Sequence, residues 1–343
     1  MSEAYSTPIQ SADLVNDLLL EVLGLTKHFE VGSIFRPRHV HAVEDVSFRV
    51  RRGQVVALVG ESGSGKSTTV RLIARLIPVT RGQIFFKGED MLITEPRLAS
   101  RSYRSKVQMI FQDPFASLNA VHTIEHHLER PLEIHHKGGG SDQRYERILN
   151  LLATVGLNPP AEIAHRYPHQ LSGGQRQRVA IARALAVDPE LILADEPISM
   201  LDVSIRMGVL NLIEQLKEEH GLAFLYITHD LASARYIGDD IMVMYAGHMV
   251  EGGQGEEIMG HPAHPYTSLL ISAVPDPHAG LRTDKKIGAR GEVPSLIDPP
   301  PCCPFVARCP QEKAVCRQTM PEITALSTDH WVRCHLYSQG QAA

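Results

Sequence analysis

Apolar residues fall along this chain in three patterns, and each predicts a different kind of element. Val55–Val59, residues 191–194 and Ala223–Thr228 are short continuous apolar runs, as in strands buried on both faces. Leu20, Val22 and Leu25, and again Val43, Val46, Phe48 and Val50, are spaced out, which reads as strands with one solvated face; the turn Arg51-Arg52-Gly53 closes the second. The basic stretch between them, residues 32–41, reads as an irregular loop. Residues 82–88 and 107–111 add short strands, and residues 241–245 with 248–251 form a closing hairpin around Ala246-Gly247.

The third pattern has the helical period. It covers residues 68–77, stopped by Pro78, and residues 122–133, 141–155 and 209–219. In the helix over 141–155, Tyr145, Ile148, Leu149, Leu152 and Val155 share a face, Ser141 is the expected cap and Gly156 follows the end. Strands alternating with helices imply an α/β fold with a mostly parallel sheet and crossover helices. Residues 1–19 read as a polar tail. From His261 onward prolines crowd and the period is lost, so a domain boundary is expected there. No internal repeat is present in the sequence.

Composition narrows the classes. The chain has 343 residues, enough for two or three domains, with 34 basic and 39 acidic side chains and a formal charge of −5. No Lys/Arg run marks a nucleic-acid track, so no nucleic-acid partner is expected. The first 20 residues lack a basic, apolar leader, and no apolar run approaches the roughly 20 residues that cross a bilayer. A soluble cytoplasmic protein is expected, with any membrane role supplied by partners. All 5 cysteines follow residue 301, a local constellation rather than a scattered disulfide framework.

The candidate chemistry centres on Gly60-Glu61-Ser62-Gly63-Ser64-Gly65-Lys66-Ser67, which fits G-x-x-x-x-G-K-[ST] between a strand and a helix. Glycines there let backbone N–H groups turn around phosphate oxygens at a helix N-terminus. Lys66 offers a charge to the outer phosphates, Thr68 follows in the helix, and the Ser67 hydroxyl can ligate magnesium. The run 191–194 ends in Asp195-Glu196. At the carboxyl edge of a parallel sheet that pair approaches the loop, Asp195 toward magnesium and Glu196 toward the attacking water. His229 and Gln112 also follow strands, for contact with the terminal phosphate or water and with the metal. Ser172-Gly173-Gly174-Gln175 opens a helix and forms a second anion site, which a two-fold pair of chains could set over the first site of the partner.

Gly60 to Ser67, Gln112, Leu171 to Gln175, Asp195-Glu196, Ser199-Met200-Leu201-Asp202 and His229 together resemble the ATP-binding cassette ATPases over residues 20–260. The resemblance implies a P-loop NTPase cassette with an antiparallel β subdomain and a helical subdomain at about residues 113–180. It implies Walker A, Q-loop, signature, Walker B, D-loop and H-loop roles at those positions, with ATP hydrolysed to ADP and phosphate between two cassettes that drive a permease. Phe29 resembles the aromatic that stacks on adenine; a structural Phe anchoring the first hairpin is the other reading. Residues 261–343, with His264-Pro265-Tyr266-Thr267 and then Cys303, Cys309, Cys316 and Cys334, resemble the C-terminal extension of the oligopeptide/dipeptide importer ATPases. That implies two permease subunits, a second, homologous ATPase rather than a second copy, a solute-binding protein, and a place on the cytoplasmic face of the inner membrane. Sugar or nickel import and a non-transport ATPase are the alternatives.

Four thiolates suit zinc or an iron–sulfur cluster, and a reducing compartment disfavours a disulfide. Related importers carry a 4Fe-4S cluster in this extension, with zinc as the alternative here. Cys302 could stand in for Cys303. His122 with His126, and His135-His136, read as surface or interface residues rather than ligands.

Overall fold

The structure is a computed structural model that describes residues 17–33, 36–96, 99–273 and 294–338. Two sheets carry it. One is antiparallel: β1 (Leu18–Ser33), β2 (Arg36–Arg51), β4 (Arg81–Phe86) and β5 (Glu89–Asp90), in the order β2-β1-β4-β5. The other holds β3 (Val55–Val59), β6 (Val107–Ile110), β7 (Leu191–Asp195), β8 (Ala223–Thr228), β9 (Asp240–Tyr245), β10 (His248–Gln254), β11 (Ile323–Ala325) and β12 (His330–Arg333). Its order is β11-β12-β10-β9-β3-β8-β7-β6, and the β9-β3-β8-β7-β6 neighbours pair in parallel.

The continuous apolar runs are buried on both faces, as parallel strands require. Val56, Leu58, Leu193, Leu225 and Met244 face a core shared with the antiparallel sheet and α1 (Lys66–Ile73). Val55, Ala57, Val59, Ala194, Phe224 and Tyr245 face a second core filled by helices. Those helices include α2 (Ile124–Ile134), α3 (Ser141–Thr154), α4 (Gly173–Leu185), α5 (Val203–His220) and α6 (Leu231–Ile237). Strand order then decides function. The segments after β3, β8, β7 and β6 all emerge at one sheet edge, from adjacent parallel strands.

Four expectations are corrected. Residues 32–33 and 36–41 are strand, not loop, and residues 34–35 lie outside the described ones: β1 and β2 stay paired out to Ser33↔Arg36 without an apolar alternation. The first helix is shorter than 68–77, running from Lys66 to Ile73 with Ala74 as its C-cap. The helix expected over 209–219 begins at Val203 because Asp202 already turns the chain. Gly140, not Ser141, is the N-cap of α3, and the Gln143 side chain accepts from its N–H.

Beyond residue 261 the chain rejoins the main sheet. Helix α7 (Pro265–Ser272) packs Tyr266 into the helical core with Cys303, Phe305 and Cys316. β12 pairs antiparallel with β10, Glu251↔Val332 to Gly253↔His330. The fully buried Glu251 carboxylate accepts from His330 Nε2 at 2.7 Å and from the N–H groups of Ala263 (2.7 Å) and His264 (2.9 Å).

Candidate active site

The loop between β3 and α1 closes around its own lysine. Gly65 has φ 108, and a Cβ there would come 2.4 Å from the Ala42 carbonyl oxygen; one at Gly60 would come 2.2 Å from that of Met244. Only glycine fits either place. Lys66 Nζ donates to the carbonyls of Gly60 (2.7 Å) and Glu61 (2.8 Å) and to the Ser64 hydroxyl (3.3 Å). Burial lowers its pKa, and Glu196, Asp195 and Glu61 act in the opposite sense.

The Ser67 hydroxyl donates to Asp195 Oδ1 at 2.8 Å. Burial raises the Asp195 pKa, while the Ser67 bond and Arg71 restrain the rise. A hydroxyl and a carboxylate oxygen side by side are the hard donors that magnesium accepts, so this pair fits that ion.

Glu196 follows with φ 48, a left-handed backbone uncommon outside glycine, and its N–H is tied to the Ile227 carbonyl at 2.9 Å. The turn puts successive acids to different uses. Asp195 stays under the loop, and Glu196 lines a cleft of about 640 Å³. There Gln112 Nε2 donates to Glu196 Oε2 at 2.9 Å, and His229 Nδ1 lies 3.1 Å from Oε1. Gly60, Ser62, Gly63, Gly65, Lys66, Ser67 and Thr68 line the opposite wall. Loop, Gln112, Glu196 and His229 are therefore brought together.

Other expected residues lie elsewhere. Ser172 caps α4: its hydroxyl accepts from Gln175 N–H (3.2 Å), and Gln175 Oε1 accepts from Ser172 N–H (3.0 Å). A Cβ on Gly174 would come 2.4 Å from Ile205 Cγ2, in the helix that starts after Asp202. None of Ser172, Gly173, Gly174, Gln175 and Asp202 lines the cleft. Phe29 does not line it either; it is 38% exposed, with Lys27 Nζ 4.9 Å over its ring. The His122 and His126 rings stack 4.1 Å apart, beside His127 and His135 in a shallow groove.

Sequence reasoning missed part of the cleft: Ala42, and Leu270 and Leu296 from beyond residue 261. It also missed that Glu61 is held by Tyr266 and Arg308. No local motif announces contacts spanning 205 and 247 positions.

The cysteines are unpaired, with Cys303, Cys316 and Cys334 buried. Burial pushes Cys303 up to about 12, with Cys316, Cys334 and Cys309 adding to the rise. Burial likewise raises Cys309 and Cys334, each with Cys316 nearby. Cys302 is half-buried, its sulfur 3.9 Å from the Cys303 carbonyl oxygen. Four neighbouring thiols, three of them buried and three raised by burial with the other sulfurs nearby, are a donor set that a cationic centre would relieve. Among the described residues, the one set of three metal-type ligands within 4.8 Å is His28, His41 and Glu44. There Arg81 already engages Glu44 at 2.6 Å.

A loop shaped for phosphate, with carboxylates gathered beside it on one parallel sheet edge, is the arrangement of an ATP-binding cassette ATPase. Family models agree: ABC transporter over residues 43–199, and oligopeptide/dipeptide transporter C-terminal region over residues 250–316. The chain belongs to the ATP-binding proteins of the oligopeptide/dipeptide ABC transporter family.

It is 44% identical over 326 residues to the oligopeptide transport ATP-binding protein AppF of Bacillus subtilis (strain 168), covering 94% of this chain and 98% of that one. It is also 44% identical over 307 residues to the dipeptide transport ATP-binding protein DppF of Escherichia coli (strain K12), covering 89% and 90%. Among solved structures it resembles the ATP-binding cassette MJ0796, a dimer in a post-hydrolysis state bound to ADP and Pi. The TM-score is 0.60 at 31% identity, over 69% of this chain and 98% of that one. Among the described residues no helix is long and apolar enough to cross a membrane.

Proposed function

We propose that this chain binds ATP with magnesium in the cleft above β3, hydrolyses it, and so powers a membrane permease that imports oligopeptides or dipeptides. The observation that carries the reading is Glu196, held at both carboxylate oxygens by Gln112 and His229 opposite the phosphate loop. Glu196 orients and deprotonates the attacking water, and His229 keeps that carboxylate aimed. Lys66 exchanges its loop carbonyls for the outer phosphates, and loop N–H groups hold the rest. Ser67 and Asp195 would hold magnesium, with Gln112 as a further ligand, and the ion would supply charge neutralisation to the phosphates.

Ser172, Gly173, Gly174, Gln175 and Asp202 lie outside the cleft of their own chain, which supports their service to the ATP bound by a partner cassette. A homologous second ATPase, two permease subunits and a solute-binding protein complete the assembly, and the chain works at the cytoplasmic face of the membrane. Phe29 sits on the same hairpin as cleft-lining Ala42, which supports its availability to adenine.

The four cysteines, Cys303, Cys309, Cys316 and Cys334, hold a 4Fe-4S cluster. The gaps of five, six and seventeen residues between them suit a larger body than a mononuclear zinc site. Reconstitution with the permease and binding protein tests the whole reading: ATP turnover should rise several-fold with peptide. Stimulation by a non-peptide solute and none by peptide would overturn the peptide assignment.

A further inference from the structure

Glu61, the second residue of the phosphate loop, is gripped from the far end of the chain. The Tyr266 hydroxyl accepts from its N–H at 2.8 Å. Arg308 takes its carboxylate in a two-pronged pair, Nη1 to Oε2 at 2.7 Å and Nη2 to Oε1 at 2.9 Å. Its carbonyl accepts from Lys66 Nζ (2.8 Å) and Ser64 N–H (3.2 Å). Every polar group of Glu61 is thus committed, and two of its four partners come from beyond residue 261.

The anchors are themselves fixed. Tyr266 is fully buried at the start of α7, its ring centroid 4.5 Å from Tyr245 and 5.4 Å from Phe305. The Arg308 side chain is 6% exposed, with its guanidinium carbon 5.7 Å and 5.8 Å from the same two rings. It ends the single 3₁₀ turn Val306–Arg308, next to Cys309. A planar guanidinium held between rings can present its fork in one direction only.

We infer that Tyr266 and Arg308 are positioning residues of the ATPase: acting through Glu61, they set the phosphate loop in its nucleotide-binding shape and so determine ATP affinity. The inference deepens the ATP reading of the cleft and rests on it. Lys66 must leave the Glu61 carbonyl to meet phosphate. The loop keeps its curvature through that exchange because the Glu61 N–H and carboxylate remain tied to the extension. The extension that carries the cysteines is then part of the nucleotide site and not an appendage to it.

The test is MgATP affinity of the purified full-length chain by calorimetry, with KM and kcat measured in the reconstituted transporter. Tyr266→Phe removes one hydroxyl and should weaken binding about three- to tenfold, as loss of one hydrogen bond does. KM should rise in parallel while kcat stays within about twofold. Arg308→Gln and Glu61→Gln should each weaken binding by about tenfold, and the double variant no further than either alone, since each acts through the other. Glu61→Arg combined with Arg308→Glu should recover part of the affinity.

Unchanged affinity in folded Tyr266→Phe and Arg308→Gln would overturn the inference, as would additive losses, or a fall in kcat at constant KM. Should Arg308→Gln fail to fold, Tyr266→Phe decides alone. A wild-type chain that binds no MgATP would overturn the ATP reading and this inference together. A wild type that binds normally beside unaltered variants overturns this inference only.

Discussion

His229 Nδ1 faces Glu196 Oε1 across 3.1 Å, each residue standing just past the end of one of two adjacent parallel strands. With Gln112 on the other oxygen, the carboxylate has one orientation. Glu196→Gln keeps size and one acceptor oxygen for Gln112 but cannot take a proton from water. Hydrolysis should fall about 10²- to 10⁴-fold while ATP affinity stays near wild type, and an ATP-locked dimer should accumulate. Phosphate release and size-exclusion in MgATP check both. Turnover within a few-fold of wild type would remove Glu196 from the chemistry.

Gly173 opens α4 beside the Ser172 cap, away from the cleft of its own chain. Gly173→Asp should leave nucleotide binding by that chain intact and block dimer closure, since a carboxylate would meet the partner's terminal phosphate. Paired with a partner ATPase whose own phosphate-loop lysine is changed to alanine, it should leave one workable composite site and one doubly broken site. The measurement is ATP turnover of defined mixtures. A defect that follows only the nucleotide site of the mutated chain itself would exclude action across the dimer.

Two histidines, His264 buried and His248 half-buried at the start of β10, make stability depend on pH. Burial pushes His264 down to about 3, and burial with Arg333 pushes His248 down to about 4, from an ordinary 6.5. Above pH 6.5 neither state binds these protons, so stability is at its full value. As pH falls below 6.5 the unfolded chain takes protons that the folded one refuses, and stability drops by up to about 1.4 kcal/mol per pH unit for each histidine. His264 Nδ1 also accepts the Tyr266 N–H at 3.0 Å, which requires the unprotonated atom. His264→Asn can keep that cap and should remove about half of this slope between pH 6 and 5, read from denaturant midpoints.

The thiols give the fourth expectation. Anaerobically purified protein should carry about four irons and four labile sulfides per chain. Cys303→Ser should lose them, while Cys302→Ser should keep them, because Cys303 is the buried member of the pair. Zinc without sulfide in the wild type would replace the cluster with a mononuclear site.

Where the chemistry is local, the sequence was enough to find it. The phosphate loop, Gln112, Asp195-Glu196 and His229 each follow an apolar run, and parallel pairing delivers all of them to one edge. Residues 32–41 carry no apolar alternation, so the strand pairing of 32–33 and 36–41 was hidden; they extend a ladder whose register runs through His28↔His41 and Glu30↔His39. Leu270, Leu296, Tyr266 and Arg308 reach the cleft or its loop only through tertiary packing, which periodicity does not report. Phe29 was placed by its position in the sequence; its exposed ring lies outside the cleft lining, on the hairpin that carries Ala42.

The pairing of β12 along Glu251–Gly253 bears on how this molecule can be cut and handled. A version ended after the hairpin would present the bare edge of β10 to solvent, a row of unpaired backbone groups ready to recruit another chain. It would also leave Glu251 without His330 or the N–H groups of Ala263 and His264, a charge stranded beneath the surface. A minimal cassette trimmed at the compositional boundary would therefore precipitate or polymerise through strand addition, and efforts to crystallise or engineer this ATPase should keep the residues through β12.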